Sequence, residues 1–263
     1  MKKSRHLKIF CIIMAVVLTV LLMAGVGFKI YTSHYYATDQ KAIAAIANSV
    51  EGYVKSFSDD TGTVFLPQEQ EPKAVIVFYP GGKVEYTAYS GLMYELAARG
   101  YIGILLKMPD NLAFLSVDAV DRVEDVRLEQ MQQASDLDWY LAGHSLGGVA
   151  ASMYLEKNRK EFRDESNYKG IILCASYTTQ DFSDDDISLL SIYGANDHVL
   201  NMKNYEESKA KWPEDFEEIV IDGGIHSYFG SYGIQRGDGK PSITNVDQIL
   251  FTADAVDEWI MAR

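Results

Sequence analysis

The chain has 263 residues, 48% of them hydrophobic and 23% charged, with a formal net charge of −13. That is enough for one domain with a sizeable core plus an appendage. So acidic a surface repels nucleic acid and anionic polymers, and no nucleic-acid partner is expected.

The appendage is N-terminal. Residues 9–28 carry no charge, and as a helix they reach about 30 Å, the thickness of a bilayer core. Lys2, Lys3, Arg5 and Lys8 precede them. By the positive-inside rule this predicts a cytoplasmic segment over 1–8, a transmembrane signal anchor over 9–28 and an extracytoplasmic remainder, in a single-pass cell-membrane protein. A cleaved signal peptide, which would release a secreted domain, needs a shorter apolar region ending in an A-x-A-like site. Ala24-Gly25-Val26-Gly27 is a poor one. Cys11 lies in the apolar segment and Cys174 in a predicted buried strand, so no disulfide framework is expected. No Cys/His cluster has metal-ligand spacing either.

Residues 29–49 read as a stalk. Thr38 or Asp39 can cap a short helix over 41–47, which lies against the membrane or against the domain. The domain itself is predicted over 50–263. It opens with a hairpin, strands near 52–57 and 63–66 around a turn at 58–62. Continuous apolar runs over 74–79 and 101–106 read as strands buried on both faces, separated by a helix over 89–99 that ends at Gly100. Val120, Val123, Val126 and Met131 give 118–133 the spacing of a crossover helix. Further strands are expected near 139–142, 170–174, 187–193 and 216–221, with helices after Ser145, over 205–211 and over 246–261. The last is capped by Thr244 or Asn245. A hairpin followed by alternating strands and helices predicts an α/β fold, a mostly parallel sheet with helices on both faces.

Working residues of such a sheet collect at the C-terminal ends of its strands. Gly143-His144-Ser145-Leu146-Gly147 is a G-x-S-x-G pentapeptide between an apolar strand and a helix, the context of a nucleophile elbow. A serine at so tight a turn is strained and exposed, and side chains at Gly143 or Gly147 would meet neighbouring backbone. Three other strand ends run into Pro80-Gly81-Gly82-Lys83, into Asn196-Asp197-His198 and into Gly223-Gly224-Ile225-His226.

With these residues the chain resembles an alpha/beta-hydrolase over roughly 50–263, in the chain order Ser145, Asp197, His226. The resemblance implies Ser145 as nucleophile, His226 as general base and then acid, and Asp197 as orienter of the imidazole. It also implies an oxyanion hole from the N–H of Leu146 and one from the Pro80–Lys83 loop. Alignment on Gly81 puts the second donor at Gly82, with Lys83 the next choice. The chain is similar, too, to a narrower group of small lidless bacterial hydrolases, through 78–85, 107–113 and 226–233. Many of these borrow the name of dienelactone hydrolase, whose nucleophile is a cysteine. Serine at the elbow argues against that chemistry, and Ile225 stands where the group commonly has asparagine.

Rival acids exist. Asp184, Asp185 and Asp186 precede their strand, and Asp222 is close to His226 in sequence. His144 and His198 are read as structural. Lys83, Glu85, Lys107 and Asn111 are candidate pocket residues, and Tyr228, Phe229 and Tyr232 are pocket wall or core. Between 175 and 186 there is no room for a lid. The sequence therefore points to a membrane-anchored serine hydrolase acting on small carboxylic esters, without cofactor or metal. Amidase, peptidase or acyltransferase chemistry on the same residues is the alternative within enzymes. A non-catalytic binding protein on a hydrolase fold is the alternative outside them.

Overall fold

The computed structural model describes residues 2–126, 134, 136–162 and 167–263. Residues 127–133 of the expected crossover helix, Met131 among them, lie outside the described residues. The chain divides into two units, residues 1–35 and 36–263. The first is a single helix, α1 (Lys2–Ser33). Its stretch Lys8–Ser33 is 26 residues long with a mean hydropathy of 3.0, long and apolar enough to cross a membrane.

The second unit begins at Tyr36, so the part of the expected stalk from Tyr36 to Ser49 belongs to the domain. Backbone pairing explains this. Tyr36 bridges Val84, its N–H donating to the Lys83 carbonyl and its carbonyl accepting from Glu85 N. Asp39 N–H donates to the Ser231 carbonyl. Asp39 then caps α2 (Gln40–Ser49) by accepting from Lys41 N and Ala42 N, and Ile46 on that helix is buried.

Among the described residues, eight strands form one sheet in the order β1-β2-β4-β3-β5-β6-β7-β8. They are β1 (Val54–Ser58), β2 (Gly62–Pro67), β3 (Ala74–Tyr79), β4 (Tyr101–Leu106), β5 (Trp139–His144), β6 (Tyr168–Cys174), β7 (Ser188–Gly194) and β8 (Asp215–Ile221). Only the hairpin β1–β2 and the β2–β4 pair are antiparallel; all other pairs are parallel. Side chains alternate between two cores, as a period of two demands. Ile76 and Phe78 of β3 join Leu92 and Leu96 of α3 (Ser90–Ala98) and Val256 and Trp259 of the closing helix (Asn245–Met261) on one face. Val75 and Val77 join Val120 of α4 (Ala119–Val126), Ala151 and Leu155 of α5 (Leu146–Phe162) and Tyr205 of α6 (Met202–Ser208) on the other. The closing helix, α7, starts with a reciprocal capping box between Thr244 and Asp247. No helix or strand lies between Cys174 and Ser188, so the sheet's C-terminal edge carries no lid there.

Candidate active site

Strand β5 is central and buried throughout, and it delivers Ser145 to a one-residue turn before α5. The residue sits at φ 53°, in the left-handed region that costs a non-glycine about 1–3 kcal/mol. Neighbouring bonds hold it there: Ser145 N donates to the Cys174 carbonyl, and the Ser176 hydroxyl donates to the Ser145 carbonyl at 2.6 Å. The flanking glycines have the expected steric cause. A Cβ on Gly143 would lie 2.5 Å from the Gly147 and Gly148 backbone, and one on Gly147 only 2.1 Å from the Tyr79 carbonyl oxygen.

Asp197 and His226, 29 residues apart, meet here. Asp197 Oδ2 lies 2.8 Å from His226 Nδ1, and the two side chains are 1% and 2% exposed. Its other oxygen, Oδ1, accepts from Val199 N and Leu200 N, both at 2.8 Å. Both carboxylate oxygens are thus committed, and the imidazole receives an acceptor held from behind. His226 Nε2 is buried with no hydrogen-bond partner. It lines, with Ser145, a pocket of about 130 Å³ whose walls include Val149, Tyr177 and Leu200.

The amides of the loop after β3 differ in what they meet. Gly81 N donates to the Tyr89 hydroxyl and Lys83 N to the Asn111 carbonyl. Among the described residues, no acceptor meets the N–H of Gly82 or of Leu146. The two residues abut: a Cβ on Gly82 would lie 2.7 Å from Leu146 Cδ1.

The rival groups stand elsewhere. Asp184, Asp185 and Asp186 precede β7, and Asp185 pairs with Arg159. Asp222 and His198 are exposed. Of the expected pocket residues, the Glu85 carboxylate accepts from Thr38 N and Lys107 faces Asp60. Neither they nor Lys83 and Asn111 line the pocket beside Ser145. Phe229 and Tyr232 are core, stacked near His144 and Tyr89 respectively.

Sequence reasoning missed the residues that hold the His226 loop. Asp238 accepts from His226 N and Ser227 N and from the Ser227 hydroxyl. Gln248, fully buried on α7, accepts from Ile225 N at 3.0 Å and donates to the Ile225 carbonyl at 2.9 Å. The available signals were the Gly237-Asp238-Gly239 turn and a polar residue on the apolar face of a helix.

Comparison with known proteins agrees with this architecture. A model described as the alpha/beta hydrolase family matches residues 75–250. No curated sequence matches the chain significantly. Among solved structures, a Pyrobaculum calidifontis esterase in a monoclinic crystal form is similar, with a TM-score of 0.59 over 84% of this chain and 89% of that one. The identity is 16%, so that likeness is one of fold.

Proposed function

The chain belongs to the alpha/beta-hydrolase family, and from that premise we propose that it is a membrane-anchored serine hydrolase cleaving carboxylic esters outside the cytoplasm. One observation carries the chemistry. His226 has Nδ1 held by a buried carboxylate while Nε2 stands unpartnered in the pocket it shares with Ser145. An imidazole so arranged is protonated on Nδ1 and bare on Nε2, the form that takes a proton.

In this reading Ser145 Oγ attacks the ester carbonyl while Nε2 accepts the hydroxyl proton. The carbonyl oxygen gains the charge and is met by the N–H groups of Gly82 and Leu146, the latter at the positive end of α5. The imidazolium, stabilised by Asp197, then gives its proton to the departing alcohol. Water attacks the acyl-serine by the same route in reverse, releasing the acid and restoring Ser145. Gly82 rather than Lys83 is the second donor because the Lys83 amide is already spent on Asn111. A pocket of about 130 Å³ suits one short substituent of the ester.

The membrane part of the proposal rests on α1 and on the cationic residues before its apolar stretch. The esterase among the structural relatives is in keeping with ester chemistry. The test is labelling by a fluorophosphonate probe, with a panel of short-chain esters, on wild type beside Ser145→Ala. Rapid labelling and turnover that vanish in the variant are expected. Correctly folded wild type that neither labels nor turns over any ester would sink the proposal.

A further inference from the structure

We propose that Tyr89 and His144 are a positioning pair, joining the oxyanion loop to the backbone of the general base through one hydrogen-bonded chain. The inference rests on the reading of Ser145 and His226 given above. Four groups take part: Gly81 N–H, the Tyr89 hydroxyl, the His144 ring and the His226 carbonyl. The distances are 3.1 Å from Gly81 N to Tyr89 Oη, 2.8 Å from Tyr89 Oη to His144 Nδ1 and 3.0 Å from His144 Nε2 to the His226 oxygen.

The direction of every bond follows from what each atom can do. A carbonyl oxygen only accepts, so His144 Nε2 carries the ring proton. A neutral imidazole has only one such proton, so Nδ1 accepts, and the Tyr89 hydroxyl donates to it. The hydroxyl oxygen is then free to accept the Gly81 N–H. Burial, with the neighbouring His226, holds the His144 pKa well below its usual range, which keeps the ring in this neutral form.

The pair has no room to adopt another arrangement. Tyr89 and His144 are 0% and 1% exposed. A Cβ on Gly81 would lie 2.6 Å from Tyr89 Oη and 2.7 Å from His144 Nδ1. The His144 ring packs 4.5 Å from the His226 ring and 5.6 Å from Phe229, centre to centre. The two ends of the chain are the reason to assign it a role beyond filling space. At one end, the Gly81 amide fixes the peptide next to the one whose N–H meets the oxyanion. At the other, the bond falls on the base's own carbonyl, while Asp238 holds the amides of His226 and Ser227 on either side of it and Gln248 holds that of Ile225. Without the chain, the distance between Gly82 N–H and His226 Nε2 rests on the backbone of the two loops and on the bond from Ser231 N to the Ala88 carbonyl. With it, that distance is set by two rigid rings.

The experiment uses the full chain in detergent and reads kcat and KM on p-nitrophenyl acetate for Tyr89→Phe, His144→Phe and the double variant, with Ser145→Ala alongside. Each single change keeps the ring and cuts the chain. We expect a loss on the order of tenfold in kcat for each, with KM within about twofold. The double variant should be no worse than the weaker single, because a chain already cut cannot be cut again. A Tyr89→Phe kcat within about twofold of wild type, or a double variant equal to the product of the singles, overturns the inference. A second measurement needs no variant to fold: the nitrogen NMR shifts of histidine-labelled wild type should show His144 protonated on Nε2 and bare on Nδ1. The opposite tautomer overturns the inference equally. If wild type has no Ser145-dependent turnover, the catalytic reading falls instead, and the tautomer still reports on the chain.

Discussion

Replacing Asp197 by asparagine separates charge and tautomer from shape. In the wild type Oδ1 accepts from Val199 N and Leu200 N, and Oδ2 faces His226 Nδ1, all at 2.8 Å. An asparagine here has two orientations. Turning its NH₂ toward the two backbone amides sets donors against donors and forfeits two hydrogen bonds, each worth about 1 kcal/mol before repulsion. Its oxygen therefore stays with Val199 and Leu200, and the NH₂ faces His226. The imidazole answers by accepting on Nδ1, which moves its proton to Nε2, the atom that in the proposed mechanism must be bare to receive a proton from Ser145. We expect Asp197→Asn to lose about 10⁴ in kcat, or about 5.5 kcal/mol of transition-state stabilisation. KM should change little and Tm by only a few degrees, since the Val199 and Leu200 amides keep their acceptor. Asp197→Ala, by contrast, strands two backbone amides in a buried site and should fall much further in Tm. The assay is steady-state hydrolysis of p-nitrophenyl acetate beside thermal melting. A folded Asp197→Asn enzyme keeping more than about a tenth of wild-type kcat would refute the reasoning.

Gly147→Ala should give little soluble protein. Its Cβ would stand 2.1 Å from the Tyr79 oxygen and 2.5 Å from the Pro80 oxygen, both backbone, and nothing flexible can yield. Gly82→Ala should fold and melt normally, because its Cβ meets only the tip of the exposed Leu146 side chain; yields and melting curves of the two variants compare these directly. A chain starting at Tyr36 should keep the Tm of the domain, whereas one starting at Val50 forfeits the burial of Ile46 alone at about 2 kcal/mol, roughly 4–8 °C. Equal melting of the two would show that the pairing of Tyr36 with Lys83 and Glu85 contributes nothing. Stability should fall with acidity below about pH 6.5, because His144 stays neutral in the fold and takes up a proton on unfolding, a slope of up to about 1.4 kcal/mol per pH unit. The titratable groups facing it are the Tyr89 hydroxyl and His226, with the Cys174 thiol, pushed up to about 12, silent in this range. Denaturant unfolding of His144→Phe between pH 5 and 7 should show a shallower slope; an unchanged one would count against the neutral buried ring.

What could be read from the sequence divides along a physical line. Strand β3 was legible to the residue because its apolar run is closed by Pro80 and Gly81, and the turn at Ser145 because the glycines beside it have steric reasons to be glycine. Side chains able to do chemistry stand out by type and motif, so Ser145, Asp197 and His226 are candidates in the sequence, and the structure brings Asp197 to His226 and His226 to the pocket lined by Ser145. The residues that hold backbone show nothing comparable. Gln248 grips the two polar atoms of Ile225, yet in the sequence it is only a flaw in the apolar stripe of α7. Tyr36 and Asp39 pair with the loops at Lys83–Glu85 and Ser231 through their own amides and carbonyls, which no side-chain pattern announces, so the segment read as a stalk. The preference for Gly82 over Lys83 in the proposed mechanism rests on one carbonyl, that of Asn111, presented by a residue at φ 54° far along the chain. His144, read from the sequence as structural, is buried, and what it does depends on what its two nitrogens touch. Tyr89 and the His226 carbonyl are 55 and 82 residues away. A histidine beside Ser145 is thus uninformative in sequence and specific in space, because its meaning lies in which partner must donate and which can only accept.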